Sequence, residues 1–245
     1  MKTIINFFLS LKTAFWLFAV FVVLCFIGSL SLPANLAFFS GIDDTPLFTW
    51  LREVSEPGTT WWIYALIGLL AVFAMSTIFC TVEALIERAT WRSIALKLSP
   101  QVMHVGVLFI MLGHLLTATL GEKIDIDVRK GETAPVGNVA SIMLVDVRET
   151  TDENGYAVDW EATLRWIENG RSSALHRLRP ARPLYFGAYG LYTKAVESGP
   201  RASAWIRINR DPGAPWALAG GLLLSLGAAA FLYARVRPAG ISPKW

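Results

Sequence analysis

Histidine is the residue whose placement points most directly to chemistry in this chain. There are three in 245 residues, His104, His114 and His176, and the first two fall inside one apolar window. An ionisable side chain inside a membrane segment is costly, so it suggests a functional site by default. One such function is axial ligation of haem iron. The alternative is a neutral imidazole that forms a hydrogen bond to a neighbouring helix.

The spacing of the two window histidines limits what they can do together. His104 and His114 are ten residues apart, which on a helix is about 15 Å along the axis and about 80° short of three full turns. Two imidazoles on one haem need ligand nitrogens about 4 Å apart. These two therefore cannot share one haem. The opposite ligand would be Met, Cys or solvent, or would come from another polypeptide, and a second protein is the economical answer.

Two further groups of residues could contribute to such a site. Gly106 and Gly113 are seven apart on nearly one helix face, where they would admit another helix or a flat macrocycle. Ordinary helix packing is the alternative. Three arginines, Arg177, Arg179 and Arg182, form a basic cluster that could contact haem propionates or lipid phosphates. A solvated loop is the alternative for that cluster.

Other site chemistry is not indicated by the sequence. The two cysteines, Cys25 and Cys80, both lie in apolar windows, which argues against a disulfide framework and a CxxC site. The sequence contains no CxxCH, P-loop, GxGxxG or HExxH pattern. No nucleophile and base can be placed together, so catalysis by this chain alone is not expected. No nucleic-acid partner is expected either.

His104 and His114 lie in one of four apolar windows of the chain, which are the elements that would position them. The chain is 54% hydrophobic and 17% charged, whereas a soluble domain has about 25% charged residues. The windows are about 13–32, 61–85, 102–120 and 216–236. Each is long enough to cross ~30 Å of hydrocarbon, so we predict four transmembrane helices. Pro33 is expected to end the first, and Ser99 with Pro100 to begin the third. A signal peptide is the competing interpretation of the first window.

The distribution of charge predicts the orientation. Lys and Arg dominate the two tails and the loop after the second window, whereas the loop 33–60 is acidic. The positive-inside rule then places both termini in the cytoplasm and residues 121–214 outside. We therefore expect a multi-pass protein of the cytoplasmic membrane, in contact with the lipid bilayer.

The region 121–214 has the pattern of a β domain. Strict alternation at 123–128 is a strand signature, and further strand candidates lie at 140–147, 158–166, 175–178, 190–196 and 204–208. Trp160, Trp166 and Trp205 fit strand positions and are expected in its core. We predict three helices in 1–120, a small antiparallel β-sandwich or barrel in 121–214 inserted between helices 3 and 4, and the last helix in 215–245.

The order of these parts, with several local motifs, resembles the ResB family (also called CcsB) of system II cytochrome c maturation. Segments 9–12 and 78–83 are similar to the family's first span and the end of its second. His104-x-Gly106 with Gly113 resembles its third-span pattern. In the outer domain, 152–160 and 182–192 resemble its strand and turn blocks. The resemblance covers nearly the whole chain, although many family members have a longer outer domain.

The resemblance implies a function in haem handling. It implies that His104 is an axial ligand of a non-covalent, b-type haem in the membrane, and that a ResC/CcsA-like membrane partner supplies the opposing histidine. Haem would then be presented for attachment to apocytochrome c within a cytochrome c synthase complex. His114 has no assignment from the resemblance and is kept as a second haem-ligand candidate. Two alternatives remain: a haem-bearing electron-transfer subunit of a quinone-linked complex, and a cofactor-free structural subunit.

Overall fold

Two units of different secondary structure share the chain. The computed structural model describes residues 2–54, 56–86, 94–137, 140–168 and 170–236. The helical unit comprises Met1–Ser40, Phe48–Ala118 and Gly213–Trp245, and the β unit comprises Gly41–Leu47 and Thr119–Pro212. The short segment Gly41–Leu47 belongs to the β unit although it lies between two helices in the sequence, an assignment that the sequence patterns do not predict.

Six helices occur in the described part of the chain. They are α1 (Lys2–Leu9), α2 (Leu11–Ala34), α3 (Leu47–Glu53), α4 (Pro57–Ile86), α5 (Ile94–Leu120) and α6 (Ala214–Val236). Four stretches are long and apolar enough to cross a membrane: α2, α4, Leu98–Leu120 of α5, and α6. Many large apolar side chains on them are exposed, as lipid-facing residues would be. The four predicted spans are confirmed, and they indicate a multi-pass membrane protein.

Two of the predicted helix ends were wrong, both at prolines. Pro33 lies inside α2, which ends at Ala34. Pro100 lies inside α5, which begins at Ile94, so Ser99 is not its N-cap. A proline removes one backbone donor and displaces one carbonyl, but neighbouring helices can compensate for this inside a membrane protein. A local cap pattern therefore could not locate these ends.

Glycines bring α5 and α6 into backbone contact. A Cβ added at Gly106 would lie 2.7 Å from the carbonyl oxygen of Gly220, and one at Gly113 would lie 2.7 Å from the nitrogen of Ala217. A Cβ at Gly227 would lie 2.7 Å from Cγ of Met103. Small residues allow such approach between membrane helices. The Gly106–Gly113 face is therefore occupied by a helix, and of the two interpretations of these glycines the structure favours helix packing.

Eight strands form two antiparallel sheets in the described β unit. They are β1 (Glu122–Arg129), β2 (Thr133–Val136), β3 (Ala140–Thr151), β4 (Ala157–Glu168), β5 (Arg171–Leu178), β6 (Leu184–Phe186), β7 (Tyr189–Glu197) and β8 (Ser203–Arg210). The sheet orders are β1-β8-β7-β6 and β2-β3-β4-β5. All of these strands follow α5 and precede α6 in the sequence.

The two sheets enclose one apolar core in a barrel-like order. β1 contacts β2, and β5 contacts β6, so the eight strands follow one another around the core in the order of the sequence. This is the connectivity of an up-and-down barrel. The buried core contains Val128, Val136, Ile142, Leu144, Ala162, Leu164, Trp166, Leu178, Leu191, Ala204, Ile206 and Ile208. The prediction of an antiparallel β-rich region is confirmed.

The prediction that three strand tryptophans lie in the core was wrong for Trp205. Trp166 is 8% exposed and lies in the core as expected, whereas Trp205 is 50% exposed and lies outside it. Trp160 is half-buried. Alternation along a strand identifies two faces, but pairing with neighbouring strands decides which face is inside.

Candidate functional site

His104 lies on the face of α5 that meets α4. Its Nδ1 is 3.4 Å from the hydroxyl oxygen of Thr81 on α4, and the residue is half-buried. His104 precedes Gly106 by two residues, which is about 200° around a helix, so the two lie on nearly opposite faces. One face of α5 therefore packs against α6 through glycine, and the other presents an imidazole to α4.

The contact with Thr81 is compatible with one tautomer of this imidazole when the Thr81 hydroxyl donates elsewhere. The hydroxyl of Thr81 donates to the carbonyl of Thr77 at 2.8 Å. A hydroxyl carries one proton, so towards His104 the Thr81 oxygen can only accept. In that arrangement Nδ1 carries the imidazole proton and the lone pair is on Nε2. A histidine held in this way by its other nitrogen is oriented for ligation.

A second polar side chain lies close to His104 in the sequence of α5. Gln101 is three residues earlier and therefore on the same side of the helix. Its Oε1 is buried and has no hydrogen-bond partner among the described residues. Buried polar atoms without a partner are uncommon in native proteins and call for an explanation. Neither Gln101 nor Thr81 was predicted from the sequence. The three-residue spacing from His104 would have indicated Gln101, whereas the position of Thr81 depends on how α4 packs.

His114 and His176 are not brought to the same place as His104. His114 is exposed, one residue beyond Gly113 on α5. His176 belongs to the β unit, where its ring meets the edge of Phe186 at 4.9 Å and its Nε2 lies 3.2 Å from the Ser173 hydroxyl oxygen. No group of three His, Cys, Asp or Glu side chains in the described ranges could hold a metal ion. His104 therefore belongs to no such group among the described residues.

The arginine cluster is largely neutralised inside the β unit. Arg179 Nη2 lies 2.6 Å from Glu161 Oε2, and Arg179 Nε donates to the same oxygen at 2.7 Å. Arg177 is 3.6 Å from the other Glu161 oxygen. The hydrogen bond from Arg179 to buried Glu161 raises the pKa of the guanidinium above its ordinary value. Arg182 is exposed and forms no ion pair with another described residue, so contact with a propionate would be easiest there.

Comparison with solved structures gives a distant likeness. The chain resembles the solved structure of "Cytochrome c Heme Lyase CcmF" with a TM-score of 0.46 and 18% sequence identity. The match covers 81% of this chain and 34% of that protein, so the chain spans about a third of its length. No protein-family model matches the chain, and no curated protein matches it. A likeness at this level does not assign a function.

Proposed function

We propose that this chain is a ResB-like component of system II cytochrome c maturation that holds a non-covalent, b-type haem through His104. A ResC-type membrane protein supplies the opposite axial ligand, and the haem is presented for attachment to apocytochrome c. In this proposal both termini are cytoplasmic and the β unit lies outside the cytoplasmic membrane. The proposal depends on one observation: a half-buried imidazole on a candidate membrane helix, with its Nδ1 3.4 Å from the Thr81 hydroxyl oxygen of the neighbouring helix.

The chemistry of His104 fits one axial position of a haem. Neutral imidazole nitrogen is a haem-iron ligand, and Nε2 would supply it when Nδ1–H donates to the Thr81 oxygen. When bound, haem would supply the iron porphyrin that is transferred to the cytochrome; the chain itself would hold and orient it. The glycine face of α5 is already covered by α6, so a macrocycle would have to approach α5 from another side.

The proposed partner is consistent with the same geometry. His104 is the only described histidine on its face of α5, and His114 lies about 15 Å further along the axis. A Met or Cys side chain, solvent or another polypeptide could supply the opposite ligand, and the proposal takes it from the partner. Arg182 is the proposed propionate contact. Arg177 and Arg179 already pair with the carboxylate of Glu161, so each would have to give up that ion pair to bind a propionate.

Spectroscopy of His104 variants tests the proposal. The chain is co-expressed with a ResC-type protein, and the purified complex is examined for a Soret band and for the yield of c-type cytochrome. His104→Ala is expected to remove most of the Soret absorbance and most of the cytochrome, and added imidazole is expected to restore part of the pigment. His114→Ala is the matched control, because this exposed residue lies on the same helix and is expected to leave both readouts unchanged.

The alternatives give different results in the same experiment. If His104→Ala leaves pigment and cytochrome yield intact, the chain is not the haem ligand proposed here. Pigment that depends on both His104 and His114 and turns over reversibly with a quinol would indicate an electron-transfer subunit. A complex that never carries a Soret band would indicate a structural subunit.

A further inference from the structure

The bend between α1 and α2 forms a groove at one end of a helix long enough to cross the membrane. α1 ends at Leu9 and α2 begins at Leu11, with Ser10 between them as the N-cap of α2. The groove has a volume of about 300 Å³, at the lower end of the range typical of ligand sites. Its lining residues are Phe7, Lys12, Thr13, Trp16, Leu17 and Val20. We call it the elbow groove.

Contacts with α4 hold the bend in place. The hydroxyl of Ser76 donates to the carbonyl of Phe8 at 2.7 Å. The ring of Phe8 stacks on that of Phe79 with centroids 5.2 Å apart and planes 25° from parallel. Phe8 therefore packs on α4, while its neighbour Phe7 is 48% exposed and forms one wall of the groove. The shape of the groove thus follows from packing inside the helical unit.

Lys12 lies on the side of α2 that faces away from α4. Phe21 marks the α4 side, since its ring meets that of Phe73 edge-on at a centroid distance of 6.3 Å. Lys12 precedes Phe21 by nine residues, which is two and a half helical turns, so the two side chains point to opposite sides. Lys12 is exposed and forms no ion pair with any described residue. The one acidic residue of α4, Glu83, belongs to the helix on the other side of α2.

The charge of the helices that form the groove is entirely positive. α1 and α2 contain no Asp or Glu, and their charged residues are Lys2 and Lys12. Lys12 is also the one charged residue in the lining of the groove. An anion beside Lys12 therefore meets no carboxylate from either helix.

The groove lies at the level where lipid headgroups meet acyl chains. α2 has 24 residues, which gives about 36 Å of helix against ~30 Å of hydrocarbon, so its first residues extend into the headgroup region. Lys12 is the second residue of α2, and Trp16 lies about 6 Å further along the axis. Lys and Trp near the end of a span are typical of this level. Leu17 and Val20 follow at the depth of the acyl chains.

We propose that the elbow groove binds an anionic phospholipid of the surrounding bilayer, with its phosphate at the ammonium group of Lys12 and an acyl chain along Leu17 and Val20. The indole nitrogen of Trp16, one turn from Lys12, can donate a hydrogen bond to a headgroup or ester oxygen. Charge selects an anionic lipid over a zwitterionic one, because Lys12 matches the net charge of the headgroup and no acidic residue of α1 or α2 opposes it. The site is independent of haem, since none of its lining residues lies on α5.

Native mass spectrometry of the full chain in a neutral detergent tests the site. The protein is titrated with phosphatidylglycerol and phosphatidylcholine that carry the same acyl chains, and Kd is obtained for the first lipid bound. Phosphatidylglycerol is expected to bind roughly fivefold more tightly, which corresponds to the contribution of one lysine near a membrane surface. Glycerophosphoglycerol, the headgroup without acyl chains, is expected not to compete at the same concentrations, because it makes no contact with Leu17 and Val20.

Two variants with matched controls locate the lipid. Lys12→Gln is expected to reduce the preference for phosphatidylglycerol to less than about twofold. Arg235→Gln removes the same charge from the last turn of α6, another helix long enough to cross the membrane, and should keep the preference. Val20→Trp places a large ring in the groove and should raise the Kd of both lipids at least about fivefold. Val22→Trp, at an equally exposed valine about 200° further around α2, should leave both unchanged.

The proposal is overturned by any of three results. These are equal Kd for the two lipids, equal loss of the preference in Lys12→Gln and Arg235→Gln, or competition by glycerophosphoglycerol at lipid concentrations. The second would show a general attraction of anionic lipid to positively charged helix ends, and the third an anion site that makes no use of the apolar groove. Lys12→Gln alters only an exposed side chain, so it keeps the proposal testable even if Val20→Trp disturbs the packing of α2.

Discussion

The packing inside the β unit and the packing between helices in the helical unit differ in the size of the side chains at the contacts. In the β unit, large apolar side chains such as Leu144, Leu164 and Ile206 are buried completely or nearly so. Between α5 and α6, the closest contacts are made where side chains are missing, at Gly106 and Gly220. The β unit gains from removing apolar area from water, whereas lipid offers membrane helices no such gain.

This difference predicts opposite sensitivities to mutation. In the β unit, removing atoms should be the damaging change, because a cavity is left in a closed core. Between α5 and α6, adding one carbon should be damaging, because backbone atoms already occupy the space. On α5 the candidate ligand is separate from this packing, since the imidazole of His104 lies on the face away from the glycines.

The largest effect is expected from shortening a core leucine. Leu164→Ala removes a side chain that is 2% exposed and should destabilise the β unit by about 3–4 kcal/mol. Hydrogen exchange of peptides covering β3 and β4, measured on the full chain in nanodiscs, reports the loss. Leu175→Ala, at a leucine that is 52% exposed, should change it by less than about 0.5 kcal/mol. Equal effects at both positions would contradict a closed core.

A smaller effect of the opposite kind is expected at two neighbouring glycines. A Cβ at Gly220 would lie 2.5 Å from the carbonyl oxygen of Gly106, whereas one at Gly221 would meet nothing within 4 Å. Both replacements by alanine gain the same helix propensity, so the difference between their stabilities measures the contact between Gly220 and α5. Gly220→Ala should be less stable than Gly221→Ala by about 1–3 kcal/mol, measured from thermal unfolding in detergent by circular dichroism. Similar stabilities would mean that α5 and α6 are not held by backbone contact.

The sequence predicted the elements of both units better than the contacts between them. Long apolar windows and strict alternation are local signals, so the four spans and the strands β1, β3, β4, β5, β7 and β8 were all found. β2 and β6 were missed because they are only four and three residues long, shorter than a periodic pattern needs. The helix ends at Pro33 and Pro100 were wrong because a proline does not by itself end a helix in a membrane protein.

The residues of the candidate site were also predicted better than the contacts between them. His104 was found from one residue type in an apolar window, a signal contained in a single segment. Its contact Thr81 lies 23 residues earlier on α4, and no periodicity indicates which α4 residue faces which α5 residue. The arginine cluster was visible in the sequence, but its pairing with Glu161 depends on the register of β4 and β5.

Thr81 tests whether the α4 face of α5 is organised for chemistry. Thr81→Val keeps the shape but removes the hydroxyl that lies 3.4 Å from Nδ1 of His104, so this contact no longer orients the imidazole. We expect haem affinity of the chain with its partner to fall about 10-fold to 100-fold, as for other groups that orient a ligating histidine, with a shift in midpoint potential. Nitrogen chemical shifts of His104 in the haem-free chain should show the Nδ1–H form in the unaltered protein and a mixture in the variant.

Thr77→Val is the control for that experiment. Thr77 donates to the carbonyl of Phe73 at 2.9 Å, one turn before Thr81 on α4, and its carbonyl, which Thr81 uses, remains in the variant. Haem affinity and the His104 tautomer should therefore be unchanged. Equal losses in the two variants would show that packing of α4, and not the hydroxyl of Thr81, supports the site.

The smallest effect concerns an ion pair on the surface of the β unit, a contact that depends on pH. Arg207 binds Asp125 through two hydrogen bonds of 2.7 Å, which lower the pKa of the Asp125 carboxyl below its ordinary value of 3.8. A lowered folded-state pKa contributes stability above 3.8 that is lost as pH falls through the folded value. Asp125→Asn should therefore cost about 1 kcal/mol or less at pH 7, and the cost should fall as the pH drops through the lowered folded-state pKa of Asp125. Urea unfolding followed by fluorescence measures both values, with Asp127→Asn, two residues along β1, as the control. A penalty that persists at the acidic end would mean that the side chain contributes by packing, as the core residues do, and not by charge.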